Sequence, residues 1–340
     1  MLHFIINRKS KSGNGKKVWL QVKEYLKENN IPYETHVTES QGHAKRIAKE
    51  LSMLPDEEVR VVVIGGDGTI NETINGIQNF YKIRFGVIPS GSGNDFARGL
   101  GLKGTPKDHI QRIVECKEPQ IIDLGRVTRK EDKRQISGKN QNADTNPNGN
   151  KNQKDVLNKN GDMKREKISR LFAISSGIGM DAIVTKKTDE SRLKKILNKV
   201  GLGKLTYLLI TVQTLFSMET FTLKASFDGE EKEWKKTIFM AAMNCSAEGG
   251  GVKMAPKSSF SDGKLSFCCI HGIPKGLCFL LLPILAIGKH EGIKGIELID
   301  CENCEIHSDV PVVLHTDGEY CGEAKDLQFE CEVAKLHMMM

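Results

Sequence analysis

The chain has 340 residues, enough for two domains with substantial cores. Its net charge of +7 suits an anionic partner such as phosphate or an acidic membrane surface, although a solvated loop or tail could carry the same excess. Aromatic residues make up only 6% of the chain and no nucleic-acid-binding module is recognisable, so nucleic acid is excluded as an expected partner.

The amino terminus and the apolar runs predict the compartment. Met1-Leu2-His3 leads directly into a strand-like segment, without the pattern of a secretory signal. The longest apolar run, Leu277–Ile287, has 11 residues and contains Pro283, whereas a membrane-spanning helix needs about 20. We therefore expect a cytoplasmic protein whose nine cysteines are reduced thiols.

Strands and helices alternate along the first third of the chain. Helix Gly42–Leu51 is typical of the pattern, since its apolar residues recur with the spacing of one helix face. Such alternation predicts a parallel sheet covered on both faces, with a ligand at the carboxyl ends of the strands. The predicted elements are strands His3–Asn7, Tyr33–Val37, Val59–Ile64 and Phe85–Ile88, with helices Lys16–Glu28, Gly42–Leu51 and one containing Ile70, Ile74 and Ile77.

The composition changes at Thr128–Ile168, where polar residues crowd together and apolar residues nearly vanish. Such a segment cannot bury enough surface to offset the entropy of ordering, so we predict a flexible insertion or a long hairpin tip. A basic arm that touches a membrane or a partner is the alternative.

Short β-like runs dominate the rest of the chain and predict an antiparallel β-sandwich. Helices are expected at Ser191–Ser217 and Ile273–Gly288. We predict one domain over residues 1–122, which the segment 318–340 could complete, and a second over 123–317. The predicted strands are Leu171–Ser175, Thr220–Phe227, Thr237–Asn244, Lys264–Ile270, Gly295–Ile299, Cys304–Ser308, Val312–Thr316 and Leu327–Val333.

Two glycine-rich loops each follow a predicted strand. The first is Gly65–Glu72 (GGDGTINE) and the second is Pro89–Phe96 (PSGSGNDF). Glycine lets the backbone approach a ligand closely, and a helix that begins directly after the turn offers unpaired N–H groups to an anion. Two such loops on neighbouring strands indicate a polyphosphate held between them.

Polar side chains in these loops have two interpretations each. Asp67 would repel a phosphate unless Mg²⁺ lies between them, or unless its side chain turns back to orient the loop. The residues that open the following helices could cap free N–H groups, which does not exclude ligand contact. These helix-opening residues are Thr69, Asn71 and Glu72 in the first loop, and Ser92, Asn94 and Asp95 in the second.

A third polar element, Asp317-Gly318-Glu319, follows the strand-like Val312–Leu314. If the fold brings it to a nucleotide, one carboxylate could take the proton from an alcohol that attacks the γ-phosphate. Asp-Gly is also a strong signal for a β-turn, which is the alternative.

Cys301 and Cys304, with His307 nearby, resemble half of a zinc site. A second well-spaced pair is missing, so whether these thiols bind anything stays open.

Several motifs together resemble the diacylglycerol kinase catalytic family, the bacterial soluble lipid kinases that are related to sphingosine and ceramide kinases. The resemblance covers nearly the whole chain outside Thr128–Ile168. GGDGT alone is shared with NAD kinases and phosphofructokinases, but the full ordered set is more discriminating. In chain order the motifs are Asn7 with Ser12-Gly13-x-Gly15, Gly65–Glu72, Pro89–Arg98, Ala255–Leu265, Gly288–His290 and Asp317–Glu319.

The resemblance implies an α/β nucleotide domain, a β-sandwich domain for the lipid, and ATP in the cleft between them. It implies Glu319 as general base and Asp317 as an essential neighbour, and we expect Asp67 and Asp317 to position the Mg²⁺ that bridges the phosphates, directly or through water. A structural Mg²⁺ would bind the Asp262 side chain and the carbonyls of Ser259 and Lys264. Together with the glycine loops, it places ATP contacts at Asn7, Ser12, Gly13, Thr38, Gly65, Gly66, Asp67, Gly68, Thr69, Asn71, Glu72, Gly91, Ser92, Asn94 and Asp95.

The expected function is an ATP- and Mg²⁺-dependent lipid kinase, first of all one that converts diacylglycerol to phosphatidate. Sphingoid bases and polyprenols are alternative acceptors, and an NAD kinase or a catalytically silent regulator is a more distant alternative. We expect a protein at the periphery of the membrane that meets its lipid through the interdomain cleft and the Leu277–Ile287 surface, unless that segment is simply a packed helix. A homodimer remains an open option.

Overall fold

The computed structural model describes residues 1–130, 167–190 and 203–340. Within these ranges, strands join edge to edge into one network of thirteen. The strands are β1 (Leu2–Ile6), β2 (Tyr33–Val37), β3 (Val59–Gly65), β4 (Ile83–Pro89), β5 (Gln120–Lys130), β6 (Lys167–Phe172), β7 (Ser175–Gly179), β8 (Phe221–Phe227), β9 (Glu230–Met243), β10 (Leu265–His271), β11 (Ile296–Cys301), β12 (Asn303–Thr316) and β13 (Glu319–Met338). The helices are α1 (Ser10–Glu28), α2 (His43–Ser52), α3 (Asp67–Ile74), α4 (Asp95–Gly99), α5 (Pro106–Glu115), α6 (Met180–Glu190), α7 (Gly203–Ser217) and α8 (Lys275–Ala286), with a 3₁₀ turn at Phe80–Lys82.

The first third of the chain forms a parallel sheet in the order β2–β1–β3–β4. Helices α1 and α5 cover one face around Trp19 and Ile113, and α2 and α3 cover the other around Ile47 and Ile70. Because both faces are covered, β3 is a nearly continuous apolar run. The strand order reverses between β1 and β3, the position at which open α/β sheets bind ligands. The predicted α/β domain is confirmed.

The remaining strands pair almost entirely antiparallel, which confirms the predicted C-terminal β-sandwich. Aromatic side chains fill its core, and helices α6, α7 and α8 contribute to a second apolar cluster with β9 and β10. The core aromatics include Phe172, Phe227, Trp234, Phe267 and Phe329.

Strand β13 connects the two parts of the molecule. It pairs antiparallel with β12 and β5, and its last residues, His337 and Met338, run parallel to β4. The carboxyl-terminal strand therefore extends the parallel sheet. The domain limits 1–122, 123–317 and 318–340 stay a prediction.

Several predicted boundaries differ from the structure, and two of these differences have a clear physical reason. The strand expected at Leu171–Ser175 is broken between β6 and β7, because the N–H groups of Ala173 and Ile174 donate to a side chain, Asp317, instead of a neighbouring strand. The insertion expected at Thr128–Ile168 begins later and ends earlier, because Thr128 pairs with Ser169 across a β5–β6 hairpin. Composition could not reveal these paired ends.

Some expectations lie outside the described residues: the body of the predicted insertion, 131–166, and the first part of the predicted helix, 191–202. In the part of the chain that the structure describes, no helix has the length and apolarity needed to cross a bilayer.

Candidate active site

The two glycine loops touch each other at the carboxyl ends of β3 and β4. Ser90 N donates to Gly65 O at 2.9 Å. A Cβ atom on Gly91 would lie 2.5 Å from the Cα of Gly66, too close for any side chain. Glycine is therefore required at this contact because two backbones meet there.

The loop after β1 joins the same site. Asn7 Nδ2 donates to Thr69 Oγ1 at 3.0 Å, and its Oδ1 accepts from Lys9 N at 3.1 Å. The loop turns through Lys11, Ser12 and Gly13, whose φ values are all positive, and this breaks the first turn of α1. The predicted contacts Ser12 and Gly13 thus lie on the turn that brings α1 to the site.

An open cavity of about 480 Å³ lies among these loops and the end of β2. Helix α3 begins beside it at Gly66 without a side-chain cap, so its first N–H groups point outward unpaired. Lys9, Ser10 and Lys11 also line the cavity and were missed in the sequence, although the basic run Arg8–Lys11 was a usable signal. The predicted site residues in its wall are Asn7, Thr38, Gly66, Gly68, Thr69, Glu72, Gly91 and Glu319.

Glu319 lies against the first glycine loop. Strands β12 and β13 form a hairpin in which Thr316 pairs with Glu319, and Asp317 and Gly318 form the turn with φ values of 46° and 76°. This two-residue turn is the one that Asp-Gly favours. A Cβ atom on Gly68 would lie 3.2 Å from Glu319 Oε1, so the carboxylate borders the cavity.

Asp317 is held by four hydrogen bonds. Its Oδ1 accepts from the backbone N–H groups of Ile174 and Ser175 at 2.8 and 3.0 Å. Its Oδ2 accepts from Ala173 N at 2.9 Å and from Asn71 Nδ2 at 2.7 Å. Both oxygens are thus saturated by protein donors, and the side chain fixes the turn that carries Glu319.

Arg170, which the sequence analysis did not single out, connects Glu319 with the first loop. Its Nη2 donates to Glu319 Oε2 and, at 2.6 Å, to Asn71 Oδ1. Asn71, a predicted ATP contact, is fully buried, and its Nδ2 donates to Leu171 O and Asp317 Oδ2. An arginine inside an otherwise strand-like run, Ile168–Phe172, was the one signal for this position.

Asp67 and Asp95 form a second acidic site between the glycine loops. Asp67 Oδ1 accepts from Phe96 N at 3.2 Å, so this carboxylate orients the second loop. Burial raises the pKa of Asp67, and the neighbouring Asp95 raises it further. Asp95 is itself engaged by Arg98 and by Gly250 N at 2.9 Å.

The other predicted ATP contacts lie around the cavity in structural roles or at its edge. Asn94 Oδ1 accepts from Gly91 N at 2.8 Å and closes the second loop, while Ser92 is exposed. Glu72 Oε1 accepts from Gly42 N at 2.8 Å, and Thr38 N donates to Ile6 O at 2.9 Å.

The predicted structural Mg²⁺ ligands lie on the loop before β10. Asp262 is exposed, and its Oδ1 accepts from Lys264 N at 3.1 Å within its own turn. Ser259 Oγ likewise accepts from Ser261 N at 3.3 Å. This metal set stays a prediction.

The cysteine pair is buried between strands of the sandwich. Burial raises the pKa of Cys301 to about 12 and raises the pKa of Cys304 further. Both thiols are therefore protonated at neutral pH, which disfavours metal binding at this pair.

Substitution of Gly91 by alanine is expected to lower the affinity for ATP and kcat/KM by about hundredfold, since the loops must separate to admit a methyl group. Gly276→Ala is the matched control, because nothing lies within 4 Å of its added Cβ. Calorimetric titration with ATP measures the effect, and equal affinities in the two variants would contradict the proposed loop contact.

A buried ionic cluster lies beneath the Asp317 turn. His315 Nε2 and Asp181 Oδ2 are 2.8 Å apart, and the Ser175 hydroxyl donates to Glu248. Burial opposes protonation of His315, but the carboxylates of Asp181, Glu248 and Asp317 together more than offset it and raise the pKa of His315 to about 9. Burial raises the pKa of Glu248 to about 7.

These shifts predict how stability depends on pH. A raised folded-state pKa contributes stability that is complete below the unfolded value and is lost as pH rises through the folded value. For His315 the window is pH 6.5 to 9, and the free energy of unfolding should fall there by about 3 kcal/mol. Chemical denaturation across this range should show the slope in the wild type and a much smaller one in His315→Gln. Equal slopes in the wild type and in His315→Gln would assign the pH dependence to other groups.

Two family models match this chain, one in each part of the fold. Residues 1–127 match the model of the diacylglycerol kinase catalytic domain. Residues 174–340 match that of the YegS C-terminal NAD kinase beta sandwich-like domain. The two matches cover the parallel sheet with its glycine loops and the sandwich with its Asp317–Glu319 turn.

Similar proteins span nearly the whole chain. A Bacillus subtilis protein named "Putative lipid kinase YtlR" is 28% identical, with 94% of this chain and 93% of that protein covered. A diacylglycerol kinase of the same organism is 26% identical, with coverage of 90% and 86%. A crystal structure of a diacylglycerol kinase from Bacillus anthracis superimposes with a TM-score of 0.69 at 20% identity, covering 99% and 96%, which supports the fold.

Proposed function

We propose that the chain, which joins a diacylglycerol kinase catalytic domain to a YegS-like C-terminal domain, is an ATP- and Mg²⁺-dependent lipid kinase whose preferred acceptor is diacylglycerol. The observation that carries the proposal is the position of Glu319 beside Gly68 of the first glycine loop. A carboxylate about 250 residues downstream in the chain borders the cavity in which the loops expose unpaired N–H groups. The arrangement offers both a polyphosphate cradle and a proton acceptor.

The loops and the cavity between them are suited to ATP in three ways. The uncapped start of α3 favours phosphate oxygens through its N–H groups and the positive end of its dipole. Lys9 and Lys11 add positive charge to the lining of the cavity. Thr38 and Ser10 also line it and carry hydroxyl groups.

The residues present fit a Mg²⁺ ion at Asp67. Its carboxylate is desolvated and lies beside Asp95, and a cation would relieve the cost of both charges. When bound, Mg²⁺ would neutralise phosphate charge during transfer. Asp317 is an unsuitable ligand because its oxygens are already saturated, so we assign it to positioning.

Glu319 would act as the general base. As the lipid hydroxyl attacks the γ-phosphorus, its proton passes to the carboxylate while the bond between the γ-phosphorus and the bridging oxygen of ADP breaks. Arg170 holds the same carboxylate through Oε2, leaving Oε1 beside Gly68 at the cavity. Fixing the base by an ion pair lowers the reorganisation needed in the transition state.

An apolar surface formed by α7 and α8 supports approach to a membrane. Four of its large apolar side chains are about half exposed or more: Leu209 (60%), Leu277 (49%), Leu280 (65%) and Ile287 (59%). The segment Leu277–Ile287 is therefore not simply packed inside the protein. The surface could meet a bilayer from which the lipid is drawn.

A lipid panel tests the proposal. Purified protein receives radiolabelled ATP, Mg²⁺ and mixed anionic vesicles that contain diacylglycerol, a sphingoid base or a polyprenol, with NAD as a non-lipid acceptor. Labelled phosphatidate is the expected product. Formation of a sphingoid or polyprenol phosphate would support the lipid kinase activity but identify a different acceptor. Phosphorylation of NAD alone, or of no acceptor, would contradict the proposal.

A further inference from the structure

A cluster of metal-ligating side chains lies at the edge of the parallel sheet, away from the glycine loops. His3 on β1 pairs directly with Glu34 on the edge strand β2, and His36 lies two residues further along β2. Alternate residues of a strand share a face, so Glu34 and His36 project on the same side. Residues Ile47 and Leu51 of α2 wall the cluster on that side.

The distances match a first-row metal ion. His3 Nδ1 is 3.4 Å from Glu34 Oε2, and His36 Nε2 is 3.8 Å from Glu34 Oε1. One ligand atom from each residue lies within 4.8 Å of the other two. Atoms bound at 2.0–2.2 Å to a tetrahedral Zn²⁺ are separated by about 3.4 Å, so a small movement of these side chains would enclose the ion.

Two nitrogen atoms in the cluster are buried without a hydrogen-bond partner. They are His3 Nδ1 and His36 Nε2, the same atoms that face Glu34. His3 is only 6% exposed, and an unsatisfied buried nitrogen carries a free-energy cost. A bound cation would satisfy both nitrogens at once, which hydrogen bonds within the protein do not.

The surroundings favour a cation over a proton. Burial lowers the pKa of His3, which favours the neutral imidazole that ligates metals. A cavity of about 350 Å³ adjoins the cluster, and Glu50, Asp56 and Glu58 also line it. These carboxylates make the cavity negative and leave room for water or a further ligand.

We propose that His3, Glu34 and His36 form a binding site for a divalent transition-metal ion of the Zn²⁺ class, with one coordination position open to the adjoining cavity. Two imidazoles and one carboxylate form a donor set that binds such ions in preference to Mg²⁺ or Ca²⁺. The ion would tie edge strand β2 to β1. The site is separate from the phosphate cavity, and the proposal does not depend on the kinase assignment.

Metal titration of the tag-free, chelator-treated full chain tests the site. We expect one Zn²⁺ per chain by calorimetry, and about hundredfold weaker binding in His36→Gln and in Glu34→Gln. His307→Gln is the matched control, because the His307 imidazole is exposed and paired with Asp326 on β13. Its Zn²⁺ affinity should equal that of the wild type.

Cobalt distinguishes this site from the buried thiols. Co²⁺ bound by His3, Glu34 and His36 should give visible d–d bands without sulfur-to-metal charge transfer, since the cluster contains no cysteine. The Glu34 side chain is 53% exposed, so Glu34→Gln should keep the fold. This variant therefore tests the site even if His36→Gln unfolds. Absence of Zn²⁺ binding, binding that survives both substitutions, or a charge-transfer band would each overturn the proposal.

Discussion

Replacement of Glu319 by glutamine is expected to lower kcat by about 10²- to 10⁴-fold, with KM for ATP changed little. Glutamine has the shape of glutamate and can still accept the hydrogen bond from Arg170, so the turn and cavity should persist. It cannot take the proton from the lipid hydroxyl. Steady-state kinetics with dispersed lipid and varied ATP would separate the two parameters.

Glu323→Gln is the matched control for this prediction. Glu323 lies on the same strand, and its carboxylate forms an exposed ion pair with Lys186 at 3.0 Å. Loss of such a surface pair changes little, so kcat should stay near the wild-type value. If Glu319→Gln retained wild-type kcat, Glu319 would not be the base, even if the protein proved to be a lipid kinase.

Local patterns were sufficient to predict the parallel sheet and the glycine loops. The strand before Gly65 is a continuous apolar run, and the glycines follow it directly, so a short window contains strand, turn and helix start. The hairpin turn at Asp317 was also recognisable from Asp-Gly alone. Each of these features depends on residues that are neighbours in the sequence.

The closure of the site could not be predicted from such windows. Arg170 contacts Asn71 and Glu319 across 99 and 149 residues, and the break between β6 and β7 exists only because Asp317 accepts the freed N–H groups. Pairing of the end of β13 with β4 joins the carboxyl terminus to the parallel sheet. Nothing local in residues 317–338 specifies that partner.

Replacement of Asp317 by asparagine is expected to lower both stability and activity. Its amide oxygen could still accept from Ile174 and Ser175, but its NH₂ group would face two donors, Ala173 N and Asn71 Nδ2. Asn71 cannot turn over to compensate, because its Oδ1 accepts from Arg170. We expect a loss of about 3 kcal/mol in the free energy of unfolding.

The same substitution should lower kcat by about hundredfold at a temperature where the variant is fully folded, since the turn that aims Glu319 is no longer fixed. Denaturant unfolding and kinetics on one preparation give both values. Asp326→Asn, which alters an exposed carboxylate on the same strand, should change neither. Reduced stability with full kcat would make Asp317 a purely structural residue, and unchanged stability would contradict the four-bond arrangement. Because Glu319→Gln should change kcat alone, comparison of the two variants separates the base from the residue that positions it.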